Sequence, residues 1–480
     1  MKKNYDVIVI GAGTAGIPAA IFSAKRGANV LLVDKKNKIG GTLFFSAGQM
    51  SAAGTKLQEI KNINDKPCLH YKDAMRISKG TSDPELLKLA TNEAANTIDW
   101  LMEENFDMAE ECPKIFYGHE AYSIARTYWG KEGGLSILNV FEKVISKYIK
   151  NKKIDLKLNN ELINLIKNPR KNQIIGIKTK DNSKQIHEFF GKNIVLTTGG
   201  YGSNKELFES LNNNLLFSST PLHADGKGIL LAKSFGAKIR NKDKFLPTFA
   251  GIAEKNEPMR VDFWRIPNLT PQLRDPWEIY VNLDGKRFMS EDDPSVDKRE
   301  KILIKQKEMT FWIIFDEKIF NNAPPILGNQ IFLNRPGWTK DEVLYAFDNH
   351  PSFKKANDIE ELAILCKINK TNLVNTIKEY NSSVLNKTDK YGRKHLPLVI
   401  YEPPFRAIKV HGFVLKTPAG LSVNKNLEII NSSKKPIKNF YAAGEAIGGG
   451  TLSGLSFVGG MSVTPAISFG KLLGEKILKW

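Results

Sequence analysis

The sequence predicts an α/β fold in which a Rossmann-like domain with a doubly wound parallel sheet is interrupted by a second, α+β domain. The short apolar runs Val7–Ile10 and Asn193–Leu196 each lead into glycines, as parallel strands do when they deliver their carboxyl ends to a ligand. From about residue 239 to residue 404, aromatic, proline and charged residues mix without the spacing of βαβ units. We therefore assign 1–238 and 405–480 to the first domain and 239–404 to the inserted one.

The glycine turn after the first strand has the pattern G-x-G-x-x-G and stands between a strand and a helix. Gly11 permits the tight turn, Gly13 lets the backbone approach a pyrophosphate, and Gly16 lets the helix pack closely on the strand. The helix N-terminus favours a diphosphate through its free amide groups and its dipole. Asp34 ends the second strand where an acid bonds an adenosine ribose. The pattern thus predicts a dinucleotide site formed by Gly11, Gly13, Thr14, Ala15, Gly16, Asp34 and Lys35.

The chain is strongly basic, since Lys and Arg exceed Asp and Glu by 19. Such an excess raises nucleic acid or an acidic membrane as a partner. The lysines are spread along the whole chain without a dominant basic block, which favours a solvated surface. We therefore expect no nucleic-acid partner, and a nucleic-acid-binding protein remains the alternative.

Hydropathy and cysteine spacing exclude several classes. No run of about 18 apolar residues is present, and Met1–Lys3 lead straight into the first strand without the apolar region of a signal peptide. We expect a cytoplasmic protein without a membrane span. Cys68, Cys112 and Cys366 lack the spacings of zinc, iron–sulfur and attached-haem sites, so no metal is expected.

Five further motifs carry a resemblance to a known family. They are G-G-T-L-F-F-S-A-G-Q at 40–49, T-T-G-G at 197–200, V-N-L-D-G-K-R-F at 281–288, Y-A-A-G-E at 441–445 and G-G-M-S at 459–462. Together they resemble the FAD-dependent oxidoreductase 2 family, which includes the flavoprotein subunits of fumarate reductase and succinate dehydrogenase, tricarballylate dehydrogenase, urocanate reductase and the 3-ketosteroid dehydrogenases. The resemblance implies a GR2-type FAD-binding domain with an inserted capping domain.

The same motifs imply how FAD is held. In the respiratory members a histidine is bonded covalently to the flavin, and its place here falls on Thr42, so the FAD is expected to be non-covalent. Glu445 matches the glutamate that bonds the ribityl chain, and the helix after Ser462 would face the flavin C2 carbonyl. The further FAD contacts implied by the resemblance are Gly40, Gly41, Thr42, Ala47, Gly48, Gln49, Thr198, Gly199, Gly200, Gly444, Glu445, Gly460, Ser462 and Val463.

The resemblance also implies that an arginine supplies a proton while the flavin exchanges a hydride. Arg299 is the candidate, although the loop before it is longer than in the fumarate reductases and a direct count falls on Ser295. The alternative for Arg299 is a solvated helix residue. Arg274 matches the second arginine of the family's proton relay, whereas the relay glutamate falls on Pro271.

The resemblance also covers the carboxylate clamps, the residues that hold the two substrate carboxylates in the fumarate reductases, and these residues are replaced in this chain. Their two histidines and one arginine fall near Leu246, Lys416 and Phe457, so two of the three positions are apolar. We expect a substrate other than a simple dicarboxylate, with Lys416 holding or polarising one acyl or carbonyl group. The aromatic residues that would make the pocket apolar, or else belong to ordinary core, are Phe249, Trp264, Tyr280 and Phe457.

A polar segment at 118–127 precedes a glycine pair, as an arginine-bearing segment does in the family. His119, Tyr122 and Arg126 are therefore candidates for the wall of the substrate pocket. Polar residues before a helix are also common as caps or surface residues, and that alternative stays open.

The expected activity is an FAD-dependent dehydrogenase or reductase that acts on a carbon–carbon bond next to a carbonyl or carboxylate in a small organic substrate. Because the sequence shows no haem or cluster motif, an external and unidentified electron donor or acceptor is implied. The alternatives are a flavin oxidase or hydroxylase, and a nucleic-acid-binding flavoprotein.

Overall fold

The structure is a computed structural model that describes residues 4–328 and 337–478. Its strands are β1 (Asn4–Ile10), β2 (Val30–Val33), β3 (Met50–Ser51), β4 (Thr127–Tyr128), β5 (Ile154–Lys157), β6 (Asn160–Lys167), β7 (Ile174–Asp181), β8 (Ile186–Leu196), β9 (Ile239–Arg240), β10 (Thr248–Gly251), β11 (Ile279–Asn282), β12 (Thr310–Phe315), β13 (Phe353–Ala356), β14 (Phe405–Phe413), β15 (Gly420–Leu421), β16 (Glu428–Ile430) and β17 (Pro436–Ala442). The α-helices are α1 (Gly16–Lys25), α2 (Lys56–Ile60), α3 (Pro67–Ile77), α4 (Pro84–Glu103), α5 (Gly134–Lys150), α6 (Lys205–Asn212), α7 (Lys227–Ser234), α8 (Val296–Leu303), α9 (Glu317–Asn322), α10 (Lys340–Asn349), α11 (Ile359–Cys366), α12 (Lys370–Asn386), α13 (Gly450–Ser453) and α14 (Val463–Lys476).

The larger sheet has a parallel centre in the order β17, β8, β1, β2, β5. Strand β16 pairs antiparallel with β17, and β7 and β6 continue antiparallel from the first half of β8. The central strand β1 is buried on both faces, as its run of β-branched residues predicts. The predicted α/β fold with a dinucleotide-binding domain is confirmed.

Helix α1 is buried along nearly its whole length because it lies between this sheet and α14. It ends at Lys25, and Gly27 then adopts a φ of +92°. Such a positive φ suits glycine, which turns the chain back into β2. Gly470 of α14 lets the last helix pack closely on the start of α1, since a Cβ there would lie 2.1 Å from the Ala15 carbonyl oxygen.

The second sheet is antiparallel and has the order β10, β14, β12, β11, with β13 also paired to β14. Sequence reasoning assigned residues 405–413 to the returning part of the first domain, whereas these residues form a central strand of the second sheet. At the other boundary, β9 pairs with β15, so residues 239–240 lie with the first domain. The chain therefore changes sheets about one strand later at each boundary than the sequence pattern indicates.

A buried ion network holds the second domain together. Glu291 is fully buried and accepts two hydrogen bonds from the Arg287 guanidinium, at 2.8 and 2.6 Å. Arg393 lies 3.2 Å from the same carboxylate, and Arg287 also pairs with Asp389. Removing one partner from such a network leaves uncompensated charge in a low-dielectric interior.

Replacing Glu291 by Gln should therefore destabilise the protein strongly. We expect a loss of about 3–5 kcal/mol in the free energy of unfolding, because Arg287 and Arg393 lose their shared counter-charge. Thermal and urea-induced unfolding measure it. The matched control is Glu379→Gln, which removes an exposed pair with Lys390 and should cost about 0–1 kcal/mol. Equal losses for the two variants would show that the network contributes no special stability.

Candidate active site

A long cleft runs along the carboxyl ends of the parallel strands and continues beneath the second sheet. Its outer end is lined by Asn160 and Glu161, and its inner end by Phe249, Arg299 and Phe457. The carboxyl edge of a parallel sheet is where ligands bind in open α/β folds. The cleft therefore joins the predicted dinucleotide site to the predicted substrate site.

The glycine turn is held by contacts that admit no side chain. A Cβ on Gly11 would lie 2.4 Å from the Thr197 carbonyl oxygen, and one on Gly16 would lie 1.8 Å from the Gly11 carbonyl oxygen. The amide of Ala12 donates a hydrogen bond of 2.7 Å to Asp34 Oδ2. The carboxylate thus fastens the end of β2 to the turn, in addition to the ribose contact that we expect of it.

Most of the predicted cofactor residues line the cleft. Gly16, Gly40 and Gly48 do not, because each lies where backbone packs against neighbouring atoms. A Cβ on Gly40 would meet the Leu138 side chain at 2.9 Å, and one on Gly48 would meet the Gly133 carbonyl at 2.5 Å. Those that line it are Gly11, Gly13, Thr14, Ala15, Asp34, Lys35, Gly41, Thr42, Ala47, Gln49, Thr198, Gly199, Gly200, Gly444, Glu445, Gly460, Ser462 and Val463.

The middle of the cleft carries buried polar groups suited to a polar ligand. Glu445 accepts hydrogen bonds of 2.7 Å from both the amide and the hydroxyl of Thr417. Burial raises the pKa of Glu445, and these two bonds and the Lys416 charge only partly oppose that effect. A Cβ on Gly200 would lie 2.2 Å from Glu445 Oε1, and the buried Thr198 hydroxyl has no hydrogen-bond partner among the described residues. The glycine cradle and the orphaned hydroxyl fit an extended dinucleotide.

The outer end is closed by ion pairs. Lys35 lies 2.8 Å from Asp225, and Lys227 pairs with Glu161 of β6.

The helix α8 presents charged groups on its buried face. Val296, Arg299, Glu300 and Leu303 recur at helical spacing and are all at most 5% exposed. Arg299 Nη1 donates a hydrogen bond of 2.7 Å to the Leu269 carbonyl, while Nε has no partner among the described residues. Burial lowers the pKa of Arg299. Its burial excludes the alternative of a solvated helix residue.

Glu300 follows Arg299 and also lines the cleft, and sequence reasoning missed it. Burial raises the pKa of Glu300 to about 8, against the opposing charge of Arg299. The signal that would have found it is the spacing of Val296 and Leu303. These apolar residues mark the buried face of the helix, and Glu300 lies on that face.

Lys416 supplies a second cation at the inner end of the cleft. Its Nζ donates hydrogen bonds to the hydroxyls of Ser453 at 2.7 Å and Ser462 at 3.3 Å, and it lies 4.0 Å from the centre of the Phe457 ring. Burial lowers the pKa of Lys416 to about 8, although the charges of Glu445 and Glu300 oppose that shift. Its ammonium group therefore keeps most of its charge at neutral pH and loses it as the pH rises through about 8.

His119 completes this wall of the cleft. Its ring stacks on Phe457 with a centroid separation of 3.8 Å, and its Nδ1 has no hydrogen-bond partner among the described residues. Burial and the charge of Lys416 lower the pKa of His119 to about 3, so the imidazole is neutral at physiological pH. A neutral ring with a free nitrogen suits a hydrogen bond to a carbonyl better than an ion pair.

The structure places the other two predicted cations outside the cleft. Arg126 is fully buried, where it makes a two-point ion pair with Asp65, at 2.9 and 3.0 Å, and contacts Asp73. Arg274 makes a similar pair with Glu278, with both bonds at 2.9 Å. Both guanidinium groups are neutralised by carboxylates in the interior, so both act as structural ion pairs here.

Of the remaining residues that the sequence predicts for the pocket, some line the cleft and others lie outside it. Phe249 and Phe457 line the cleft, whereas Leu246, Trp264 and Tyr280 do not. Tyr280 instead packs in the core of the second sheet, 5.1 Å from the Phe311 ring. Tyr122 is buried beneath the wall of the cleft and donates a hydrogen bond of 2.6 Å to the Gly459 carbonyl.

This chain belongs to the FAD binding domain family, whose model matches residues 6–463. It is an FAD-binding oxidoreductase, as the sequence resemblance predicted. Among the described residues, no cluster of His, Cys, Asp and Glu would hold a metal ion. In the same part of the chain, no helix has both the length and the apolar character needed to cross a bilayer.

Three relatives show where the chain lies within that family. It is 28% identical to a probable fumarate reductase Ifc3 of Shewanella frigidimarina over all of this chain and 75% of the relative. It is 24% identical to a vinyl phenol reductase of Lactiplantibacillus plantarum over 93% of this chain and 90% of the relative. The open conformation of a flavocytochrome c3 fumarate reductase superposes with a TM-score of 0.75 at 27% identity, covering 98% of this chain and 78% of that one.

The link between Asp34 and the glycine turn can be tested through the cofactor. Asp34→Ala removes the acceptor for the Ala12 amide, which should weaken FAD binding by about 1.5–3 kcal/mol, or roughly ten- to a hundredfold. Titration of the apoprotein with FAD, followed by flavin fluorescence, measures it. Asp107→Ala, which removes an exposed carboxylate, is the control and should bind FAD as the parent protein does. An unchanged affinity in Asp34→Ala would contradict the assigned role.

Proposed function

We propose that this protein reduces or forms a carbon–carbon double bond next to a carbonyl or a single carboxylate in a small organic substrate, with non-covalently bound FAD. One observation carries the proposal: the buried Arg299 and the half-buried Lys416 line the same end of the cleft, among the aromatic rings of Phe249, His119 and Phe457. The electron donor or acceptor is an external partner.

The protein's own task is to orient the substrate and to move one proton. FAD, when bound, supplies hydride transfer. In the reducing direction, saturation of the double bond consumes one hydride and one proton, and Arg299 donates that proton to the neighbouring carbon. Arginine ordinarily stays protonated, but burial lowers the pKa of Arg299 and so reduces the cost of releasing its proton. In the reverse direction the same group accepts the proton.

Charge at the inner end favours a substrate with at most one carboxylate there. Of the three positions that match the carboxylate clamps of fumarate reductases, Lys416 is cationic while Leu246 and Phe457 are apolar. His119 is neutral, so it adds a hydrogen-bonding nitrogen but no positive charge. Lys416 can pair with one carboxylate, and a second carboxylate would have to pair with Arg299, the group assigned to proton transfer.

Relatives support this class of reaction. The probable fumarate reductase and the vinyl phenol reductase are named for compounds that share a carbon–carbon double bond and differ in their carboxylates. A pocket of this fold is thus compatible with substrates of different charge. The side chains around Lys416 would then decide which one is accepted.

Anaerobic stopped-flow spectroscopy tests the reaction. The FAD-loaded protein is photoreduced and mixed with a panel of enoates, enones and dicarboxylates, and the return of oxidised-flavin absorbance is recorded. We expect a less charged enone or enoate to reoxidise the flavin, and Arg299→Ala to slow that step by about 10²–10⁴-fold, the usual contribution of a general acid. Lys298→Ala, which changes an exposed residue of the same helix, is the control and should retain the parent rate.

The panel also separates the competing functions. Rapid reoxidation by fumarate would show that a dicarboxylate is accepted despite the apolar clamp positions. Reoxidation by oxygen alone, with release of peroxide, would favour an oxidase. Equal rates in Arg299→Ala and the parent protein would remove Arg299 from the proton step.

The pH dependence should report the Lys416 ammonium group. Because burial lowers the pKa of Lys416 to about 8, its charge is present below that pH and is lost above it. If the charge holds the acyl group, kcat/KM falls as pH rises through about 8, and Lys416→Met abolishes this limb together with much of kcat/KM. Glu300 titrates in the same range, so Glu300→Gln is needed as a comparison. A limb that persists in Lys416→Met but disappears in Glu300→Gln would assign the titration to Glu300.

A further inference from the structure

Hydrogen bonds between the two domains converge on the first turn of α8. Glu120 belongs to the first domain, and its Oε1 accepts a hydrogen bond from the hydroxyl of Ser295, the N-cap residue of α8. The same oxygen accepts the backbone amide of Asp297 at 3.0 Å. One carboxylate from the first domain thus satisfies two donors at the start of a helix in the second.

Asp297 makes the reciprocal contacts. Its side chain is 2% exposed and accepts hydrogen bonds from Ser456 at 2.7 Å and Lys79 at 2.8 Å, both in the first domain. Lys301, one turn further along α8, donates a third at 2.7 Å. Burial alone would raise the pKa of Asp297, but these donors outweigh it and lower the pKa, so the carboxylate stays charged. Acidic groups at a helix N-terminus are also favoured by the helix dipole.

The same turn sets the place of the proton donor. Arg299 lies two residues after Asp297, which is about 3 Å along a helix axis. The two residues are on one short, rigid element, so a displacement of the first turn would move the Arg299 guanidinium with it. The Arg299 guanidinium donates a hydrogen bond within its own domain, to the Leu269 carbonyl. Its position relative to the first domain therefore depends on the first turn.

The chain segments that grip α8 also form the substrate wall. His119 precedes Glu120 and stacks on Phe457, which follows Ser456. Glu120 forms an isolated parallel bridge with Val458, which joins the two segments. A substrate bound against His119 and Phe457 would thus contact the two chain segments that carry Glu120 and Ser456, the residues that hydrogen-bond to α8.

We propose that Glu120 is a positioning residue, which grips the first turn of α8 across the domain boundary and so places Arg299 over the reacting carbon. This rests on the proposed function, in which Arg299 moves the proton. Asp297 and Ser456 support the same grip from the other side. Glu120 itself does not line the cleft and does not contact the substrate in this assignment.

The test compares Glu120→Ala with the parent protein, both loaded with FAD. Hydrogen–deuterium exchange should speed up by about tenfold in the amides of Val296–Leu303, because the first turn loses its acceptor. With the alkene that reoxidises the flavin in the stopped-flow panel, kcat should fall by about tenfold or more while KM changes little, since misplacing a catalytic group affects the transition state more than substrate binding.

Two control variants separate positioning from simple loss of stability. Glu120→Gln keeps an oxygen that accepts both hydrogen bonds, so it should restore most of kcat and the slow exchange of α8. Asp358→Ala removes a carboxylate that caps α11 within the second domain alone, through its 2.7 Å bond to the Glu361 amide. That variant should leave kcat and the exchange of α8 at parent values even though it loses a helix cap.

The outcomes distinguish this proposal from the reaction on which it rests. Unchanged hydrogen–deuterium exchange of α8 in Glu120→Ala would show that Glu120 does not hold the first turn of this helix, whatever the substrate proves to be. Faster exchange with an unchanged kcat would overturn the positioning of Arg299. If the parent protein reduces no member of the panel, the proposed function fails, while the exchange measurement still decides whether Glu120 holds α8.

Discussion

The cleft depends on one close contact, between the glycine turn after β1 and Thr197 at the end of β8. The Thr197 hydroxyl donates to the carbonyl oxygens of Ile10 and Gly11, at 2.9 and 2.8 Å. Gly16 brings the start of α1 against the same turn, where a Cβ would collide with the Gly11 carbonyl. Strand, turn and helix are thereby held at one point, and the helix N-terminus is left open toward the cleft. The other walls are built outward from this point.

Buried charge organises the rest of the site. Arg126 and Arg274 are each neutralised by carboxylates, and so they stabilise their surroundings as ion pairs. Arg299 is also buried and Lys416 is half-buried, but both are held mainly by neutral oxygens, from Leu269 and from serine hydroxyls. Burial without a matched carboxylate lowers the pKa of both groups, which suits proton transfer and recognition of an anion or carbonyl.

Prediction from the sequence succeeded where chemistry depends on neighbours along the chain. The G-x-G-x-x-G turn and Asp34 are close in sequence, and their local geometry follows from residue type. The sequence was less informative about side chains whose role depends on whether folding buries them. Glu300 escaped notice because its neighbours in sequence, Lys298 and Lys301, are more solvent-accessible, and only packing against the second sheet buries its face of α8. The apolar strand at 405–413 would likewise fit the core of either domain. Only its pairing with β10, β12 and β13 assigns it to the second sheet.

The sequence by itself determined the class of fold, the dinucleotide turn and the family, because these reside in short glycine motifs whose backbone conformations few other residues can adopt. The tertiary structure alone decided which of four predicted cations face the cleft. It also decided that Glu120 and Asp297 join the domains beside Arg299. These outcomes depend on side chains far apart in the chain, such as Arg126 with Asp65 and Lys416 with Ser453. A charge acquires its role from what surrounds it in space, and one-dimensional spacing does not specify that environment.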